Sequence, residues 1–265
     1  MENTNTTRSS FRKTTFLILV TLLLLFLVYY TIMSARAPAN KLADIKKDYS
    51  SLTDKKDVDK KMLTDSTYLS LIKERAFLQS RIIMAETDSI YLTINFADST
   101  INLEISGVVV HYTKMQGFSA SSILTQGNEN IITAMLSTPL TIESDLSTIK
   151  KEPVMIKMAP KDTSEYKPDI MPDTSLTEPV NYIFYMTNGI RIYVSQTESD
   201  KKEDRKMAFW FDLKDRLGQT RDALKKVAVL KVPDYHPYIK IKIPRADAKI
   251  IYRAIPKKGQ IAIFL

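Results

Sequence analysis

The 265-residue chain carries 38 Lys and Arg against 30 Asp and Glu, a net charge of +8, and has no cysteine. The missing thiols exclude disulfides, thiolate metal sites, a cysteine nucleophile and a lipidated amino-terminal cysteine, but leave the redox compartment open. The two signs of charge are interleaved rather than segregated into a basic face, so no nucleic-acid partner is expected. The length accommodates an anchor with one large or two small domains.

The first 13 residues form a short polar tail with Arg8, Arg12 and Lys13 against Glu2. Thr14 to Ala35 then carries no charge, and 13 of the 18 residues from Phe16 to Met33 are Leu, Ile, Phe or Val. As a helix this run reaches about 33 Å, enough to cross a hydrocarbon core of roughly 30 Å. Insertion is favoured by about 4 to 8 kcal/mol as an upper bound, since Thr21, Thr31, Tyr29 and Tyr30 are ignored. Residues 14–35 are therefore predicted to be a transmembrane helix in contact with membrane lipid. The apolar core exceeds the roughly 7–15 residues of a cleaved signal peptide, although Ala37-Pro38-Ala39 leaves a cleavage site open. Arg36, Lys41, Lys46 and Lys47 follow the span, so counting positive charges does not orient it. The size of the carboxy-terminal part does. The expected placement is a bacterial inner (cytoplasmic) membrane, single-pass, with a cytoplasmic N-terminus and an exported C-terminal domain.

Residues 36–86 are predicted to be a helical stalk or linker. Leu42, Ile45, Tyr49 and Leu52 keep helical spacing, which lapses at Lys55-Lys56-Asp57 and returns with Leu69, Ile72, Ala76 and Ile83. The second stripe is wide, as a helix docked on a domain requires. Oligomerisation through residues 40–86 stays open beside a solvated spacer leading into such a helix.

From Ile90 the period changes to two. Leu92, Ile94 and Phe96 share one face, and Ile101, Leu103 and Ile105 repeat the pattern after a turn at Ala97-Asp98-Ser99. Ser106-Gly107 turns again into Val108-Val109-Val110, giving an antiparallel meander with one buried face. Ile131 to Leu136 suits a short helix. The loop at 150–180 holds five of the 11 prolines, too many for a regular ladder. Asn188-Gly189 marks a hairpin, and a helix is expected from Glu198–Lys206 through about Lys226. Ile239, Ile241 and Ile243 point inward against Lys240 and Lys242, a short helix follows over 245–254, and Gln260 to Leu265 closes as a strand. The whole is α+β: after the transmembrane helix and stalk, residues 88–265 form a mostly antiparallel β domain with a few helices.

No chemistry stands out. The two histidines, His111 and His236, lack clustered ligands for zinc or iron. Gly117-Phe118-Ser119-Ala120-Ser121 lacks the second glycine of a hydrolase elbow, and no phosphate loop or dinucleotide fingerprint is present. Asp169 and Asp173 lie in the proline-rich loop, which does not suggest the fixed geometry that acid–base work needs. The aromatics Phe209-Trp210-Phe211, Tyr235 and Tyr238 suit a core role first and a partner groove second. No catalytic, metal or cofactor-binding residue is assigned, and no cofactor is expected.

Tyr91 to His111, with its strand, tight turn, strand, glycine and strand, resembles the opening of L,D-transpeptidase catalytic domains. The tail Ala246-Asp247-Ala248-Lys249-Ile250-Ile251-Tyr252, then Ala254-Ile255-Pro256, Gly259 and Gln260-Ile261-Ala262-Ile263, is similar to the short helix and final strand of that family. The likeness covers residues 90–115 and 236–265. It implies an exported domain facing peptidoglycan. That family acts through a cysteine in a Ser/Thr-His-Gly-Cys motif with another histidine upstream, and this chain has neither, so no catalytic residue carries over. The expected function is that of a membrane-anchored, non-catalytic envelope protein whose domain binds a protein partner or the cell wall. Two alternatives stand beside it: a degenerate transpeptidase-like or carboxylate-based wall-modifying enzyme, and an oligomerising subunit of an envelope assembly.

Overall fold

The computed structural model describes residues 4–53, 66–151, 178–198 and 202–265. The chain divides into two compact units, one of Met1–Ile45 with Lys214–Tyr235 and one of Lys46–Leu213 with His236–Leu265. The proline-rich stretch, with Asp169 and Asp173, lies almost wholly outside the described residues.

The first unit is built on α1 (Thr4–Thr53), which runs through the apolar stretch and past Pro38 without a break. Its Thr14–Tyr49 part is long and apolar enough to cross a membrane, with a mean hydropathy of 2.6 over its most apolar window, none of it buried. The span's two threonines bond back into the helix. Thr21 Oγ1 donates to Leu17 O at 2.9 Å and Thr31 Oγ1 to Leu27 O at 2.8 Å. A hydroxyl satisfied within its own helix needs no water, as a hydrocarbon setting demands. Further along, Ala37 and Ile45 are buried. The unit also takes the second half of α5 (Lys202–Ala228), a helix with Glu203 and Asp204 in its first turn and Lys225 and Lys226 in its last, matching the helix dipole at both ends.

The second unit contains one nine-stranded sheet. Its first strands are β1 (Tyr91–Asn95), β2 (Thr100–Ile105) and β3 (Val108–Lys114), paired antiparallel as the alternation predicts. Ser106 and Gly107 both take positive φ, 47° and 83°, the two-residue turn whose twist suits a hairpin. Then come β4 (Gly117–Ala120), α3 (Ser122–Gln126), α4 (Glu129–Leu136) and β5 (Leu140–Ser147). The Asn188-Gly189 hairpin joins β6 (Asn181–Met186) to β7 (Arg191–Gln196). The chain closes with β8 (Tyr238–Ile243), α6 (Arg245–Ala254) and β9 (Gln260–Phe264). The strand order is β3-β2-β1-β9-β5-β6-β7-β8-β4, with β1–β9 and β7–β8 parallel and the other pairs antiparallel.

The order forces a curl. The edge strands β3 and β4 are separated in sequence only by Met115 and Gln116, a link that spans about 11 Å. Laid flat, nine strands would hold their edges about 38 Å apart. The sheet therefore rolls until its edges meet at this link, where Met115 N donates to Ser99 O and Gln116 N to Lys242 O. Against one face sits α6, burying Ala248, Ile251 and Tyr252. The Tyr252 ring lies 5.0 Å from that of Tyr182 and 6.3 Å from that of Phe184.

Three expectations are corrected. The meander is buried on both faces at β1, because α2 (Ser66–Ala85) packs there through Met84, the last of three buried residues, Ala76, Ser80 and Met84, one helical turn apart each time. Met84 packs with Tyr91 and Ala262, and Phe77 meets the Phe264 ring at 5.6 Å. The third strand is the opposite case: Val108, Val109 and Val110 are exposed along a sheet edge. Finally, Phe209 and Trp210 are not core residues; they are 61% and 57% exposed.

Candidate functional site

The register of β6, β7, β8 and β4 aligns the polar members of four alternating strands. Asn181 pairs Ser195, Ser195 pairs Lys242, and Lys242 pairs Gly117; one row along, Tyr193 pairs Lys240 and Lys240 pairs Ser119. Because side chains two apart share a face, these residues all project to one side, while Val194, Ile239 and Ile241 are buried. Ala208, Phe211 and Asp212 of α5 join that polar face to enclose a cleft of about 540 Å³, within the range of small-ligand sites. Gly117, lacking a side chain, keeps the floor open beside Lys242.

The cleft is basic and aromatic. Lys240 and Lys242 outnumber Asp212 in its lining. Lys240 Nζ lies 5.6 Å from the Tyr193 ring centre and 5.4 Å from that of Tyr238, which steers the ammonium by cation–π attraction. Asn181 is buried, and its Nδ2 has no hydrogen-bond partner among the described residues. Buried amide donors are nearly always satisfied, so an unpaired one in the wall of a cleft marks a place where an acceptor is missing. The lining offers two ammonium groups, the hydroxyls of Ser119 and Ser195, an amide and flat aromatic faces. That set suits recognition of anionic or hydroxyl-rich groups.

Two further clusters hold polar chemistry. At the β3 edge, His111 Nε2 lies 3.1 Å from Asp247 Oδ1, and Thr113 Oγ1 donates to Asp247 Oδ2 at 2.6 Å. Deeper, Tyr252 Oη donates to Asp145 Oδ2 at 2.5 Å. Burial first, and the bond to Asp145 second, push the Tyr252 hydroxyl up to about 12. Lys151 Nζ sits 5.1 Å from the Tyr252 ring centre, has no hydrogen-bond partner among the described residues, and is held below the usual lysine range by burial.

The sequence-predicted residues scatter across these places. His111 meets an acid 136 positions away, whereas His236 Nδ1 contacts Gly189 O at 3.2 Å and ties down the β6–β7 turn. Phe211 lines the cleft, and the Tyr238 ring lies against Lys240. The stretch dismissed as a failed hydrolase elbow supplies Gly117, Phe118 and Ser119 to the cleft wall. Lys240 and Lys242 were legible as the outward members of an alternating strand, but nothing local showed that a helix would enclose them. Among the described residues no three His, Asp or Glu side chains gather closely enough to hold a metal ion. No protein-family model matches the chain, nor does any curated protein or solved structure compared with it.

Proposed function

We propose that the chain is a single-pass membrane-anchored envelope protein whose exported domain binds a partner, either an envelope protein or the cell wall, without catalysing a reaction on it. The observation that supports this best is the cleft: it presents lysines, hydroxyls, an amide unpaired among the described residues, and aromatic rings. The unburied apolar helix supports tethering of that cleft to a membrane, here the inner membrane of a bacterium with the N-terminus in the cytoplasm. Photo-crosslinking residues placed at Ser119 and Ser195 in intact cells test the reading, with Lys257 as an exposed control. Adducts to an envelope protein or to wall material are expected at the two cleft positions and not at Lys257. No adduct at either cleft position, together with no co-sedimentation with isolated wall, overturns it.

A second reading rests on the His111–Asp247 pair. An acid beside a histidine is what a carboxylate-based or degenerate transpeptidase-like wall-modifying enzyme would need, and His111 and Asp247 lie in the two stretches, 90–115 and 236–265, on which that likeness rests. Release of soluble fragments from isolated wall by the full-length protein, abolished by Asp247→Asn, would favour this reading; no release would discard it.

A further inference from the structure

The end of α5 breaks three rules of helix termination at once. Lys231 N donates to Lys226 O at 2.9 Å and Leu230 N to Val227 O at 3.0 Å, the paired bonds of a Schellman cap. The residue that must turn left-handed in that cap is normally glycine; here it is Leu230, at φ 57°. The cap usually closes with an apolar contact between its flanking positions, yet those positions are Lys226 and Lys231. The apolar residues are instead thrown outward. Val229 is 67% and Leu230 75% exposed, the latter more than any large apolar residue of the α1 span. Lys225 and Lys226 belong to the same turn and pair with the exposed acids Asp222 and Asp234. Over Lys214–Tyr235, six Lys and Arg stand against three Asp. An apolar tip ringed by lysines is costly in water and favourable where acyl chains lie beneath anionic headgroups.

Its position in the first unit fits. That unit contains only α1 through Ile45 and Lys214–Tyr235. Along α1 the residues from Phe16 to Val28 are almost all exposed, then Tyr29, Tyr30 and Met33 become half-buried, and Ala37 and Ile45 buried. Val229 and Leu230 thus belong to the same compact unit as the apolar span.

We propose that the Val229–Leu230 tip, with Lys225, Lys226 and Lys231, is a second membrane contact that seats on an anionic lipid surface beside the α1 span. The inference rests on the anchored reading above. The absence of cysteine makes its test direct, since single cysteines can be labelled without background. Full-length Leu230→Cys, Leu24→Cys in the span and Lys257→Cys as the exposed control each receive a polarity-sensitive fluorophore. All are reconstituted in vesicles of phosphatidylcholine, with or without phosphatidylglycerol, containing spin-labelled lipid. Label at Leu230→Cys should shift to the blue and lose most of its emission to the quencher, more so with phosphatidylglycerol. Lys257→Cys should do neither. Replacing Lys225, Lys226 and Lys231 with Gln in the Leu230→Cys background should abolish the phosphatidylglycerol dependence. Quenching at Leu24→Cys with none at Leu230→Cys overturns this proposal and leaves the anchor standing. No quenching at Leu24→Cys overturns the anchor itself and the contact with it. Equal quenching of Leu230→Cys in both lipid mixtures overturns the assignment of an anionic surface.

Discussion

Two polar faces of one sheet meet opposite fates. On β1 and β2, Tyr91, Thr93 and Glu104 are buried beneath α2, which brings Arg81 to Glu104. On β6, β7 and β8, the equivalent outward positions meet an α5 segment that brings Ala208, Phe211 and the single acid Asp212, and stay open as a cleft. The strands alternate similarly in both places. What separates a structural network from an open site is whether the covering helix carries the matching side chain.

The sealed face should be the more fragile. Glu104 is fully buried, with one oxygen accepting from Arg81 Nε at 3.2 Å and Nη2 at 3.0 Å and the other accepting from Thr93 Oγ1 at 2.7 Å. Arg81→Ala leaves that carboxylate without its cation, a change that costs about 3 kcal/mol or more when a buried pair is broken from one side. The expected result is a large fall in the urea midpoint followed by near-ultraviolet circular dichroism of the tyrosines. Arg81→Lys should recover only part of it, because a point ammonium cannot reproduce the two-pronged contact. A midpoint unchanged in Arg81→Ala would break the comparison at its first term.

Tyr252 offers an intermediate case on the sheet's inner side. Loss of its hydroxyl in Tyr252→Phe removes one bond to Asp145 and should cost about 1–2 kcal/mol. Its pH signature is more specific. The folded state keeps the phenol protonated up to about 12, while the unfolded chain ionises near its ordinary value of 10. Between those two values the native state binds the extra proton, so stability is fully present below pH 10 and falls as pH rises toward 12. Tyr252→Phe should flatten this decline. An identical alkaline slope in both proteins would remove Tyr252 as its source.

Much of the fold was legible because period and turn chemistry agree locally. The Ser106-Gly107 and Asn188-Gly189 turns, the Ile239–Ile243 alternation, and the helix over Arg245–Ala254 all lie where the residues place them. β5 was not read. It carries a bulge between Ile142 and Ser144 and turns Asp145 to pair with Phe184, so an acid occupies an inward position that Tyr252 satisfies from a distant helix. No local pattern encodes that partner. The parallel pairs β1–β9 and β7–β8 were equally hidden, since each joins strands far apart in sequence. Of the cleft, the sequence showed the outward lysines and the aromatics, but not the register that sets Lys242 beside Ser195 and Gly117. The acid beside His111 was hidden for the same reason.

The open face yields the smallest stability effect and the sharpest test of the comparison. Lys242 is exposed, and no ion pair to it is seen among the described residues. Its strand is held instead by backbone bonds and by Ile241 and Ile243 on the other side. Lys242→Ala should therefore leave the urea midpoint within the equivalent of about 0.5 kcal/mol, as for surface substitutions generally. Lys240→Ala should cost slightly more, up to about 1 kcal/mol, because it loses its contacts with Tyr193 and Tyr238. If the cleft binds an anionic or hydroxyl-rich partner, both variants should weaken the Ser119 and Ser195 crosslinks while remaining as folded as the parent. A side chain retained for packing would behave the other way round, unfolding the domain in proportion to any loss of crosslinking. Loss of crosslinking without loss of stability separates the two, because only a residue that faces a partner can change binding while leaving its own fold intact.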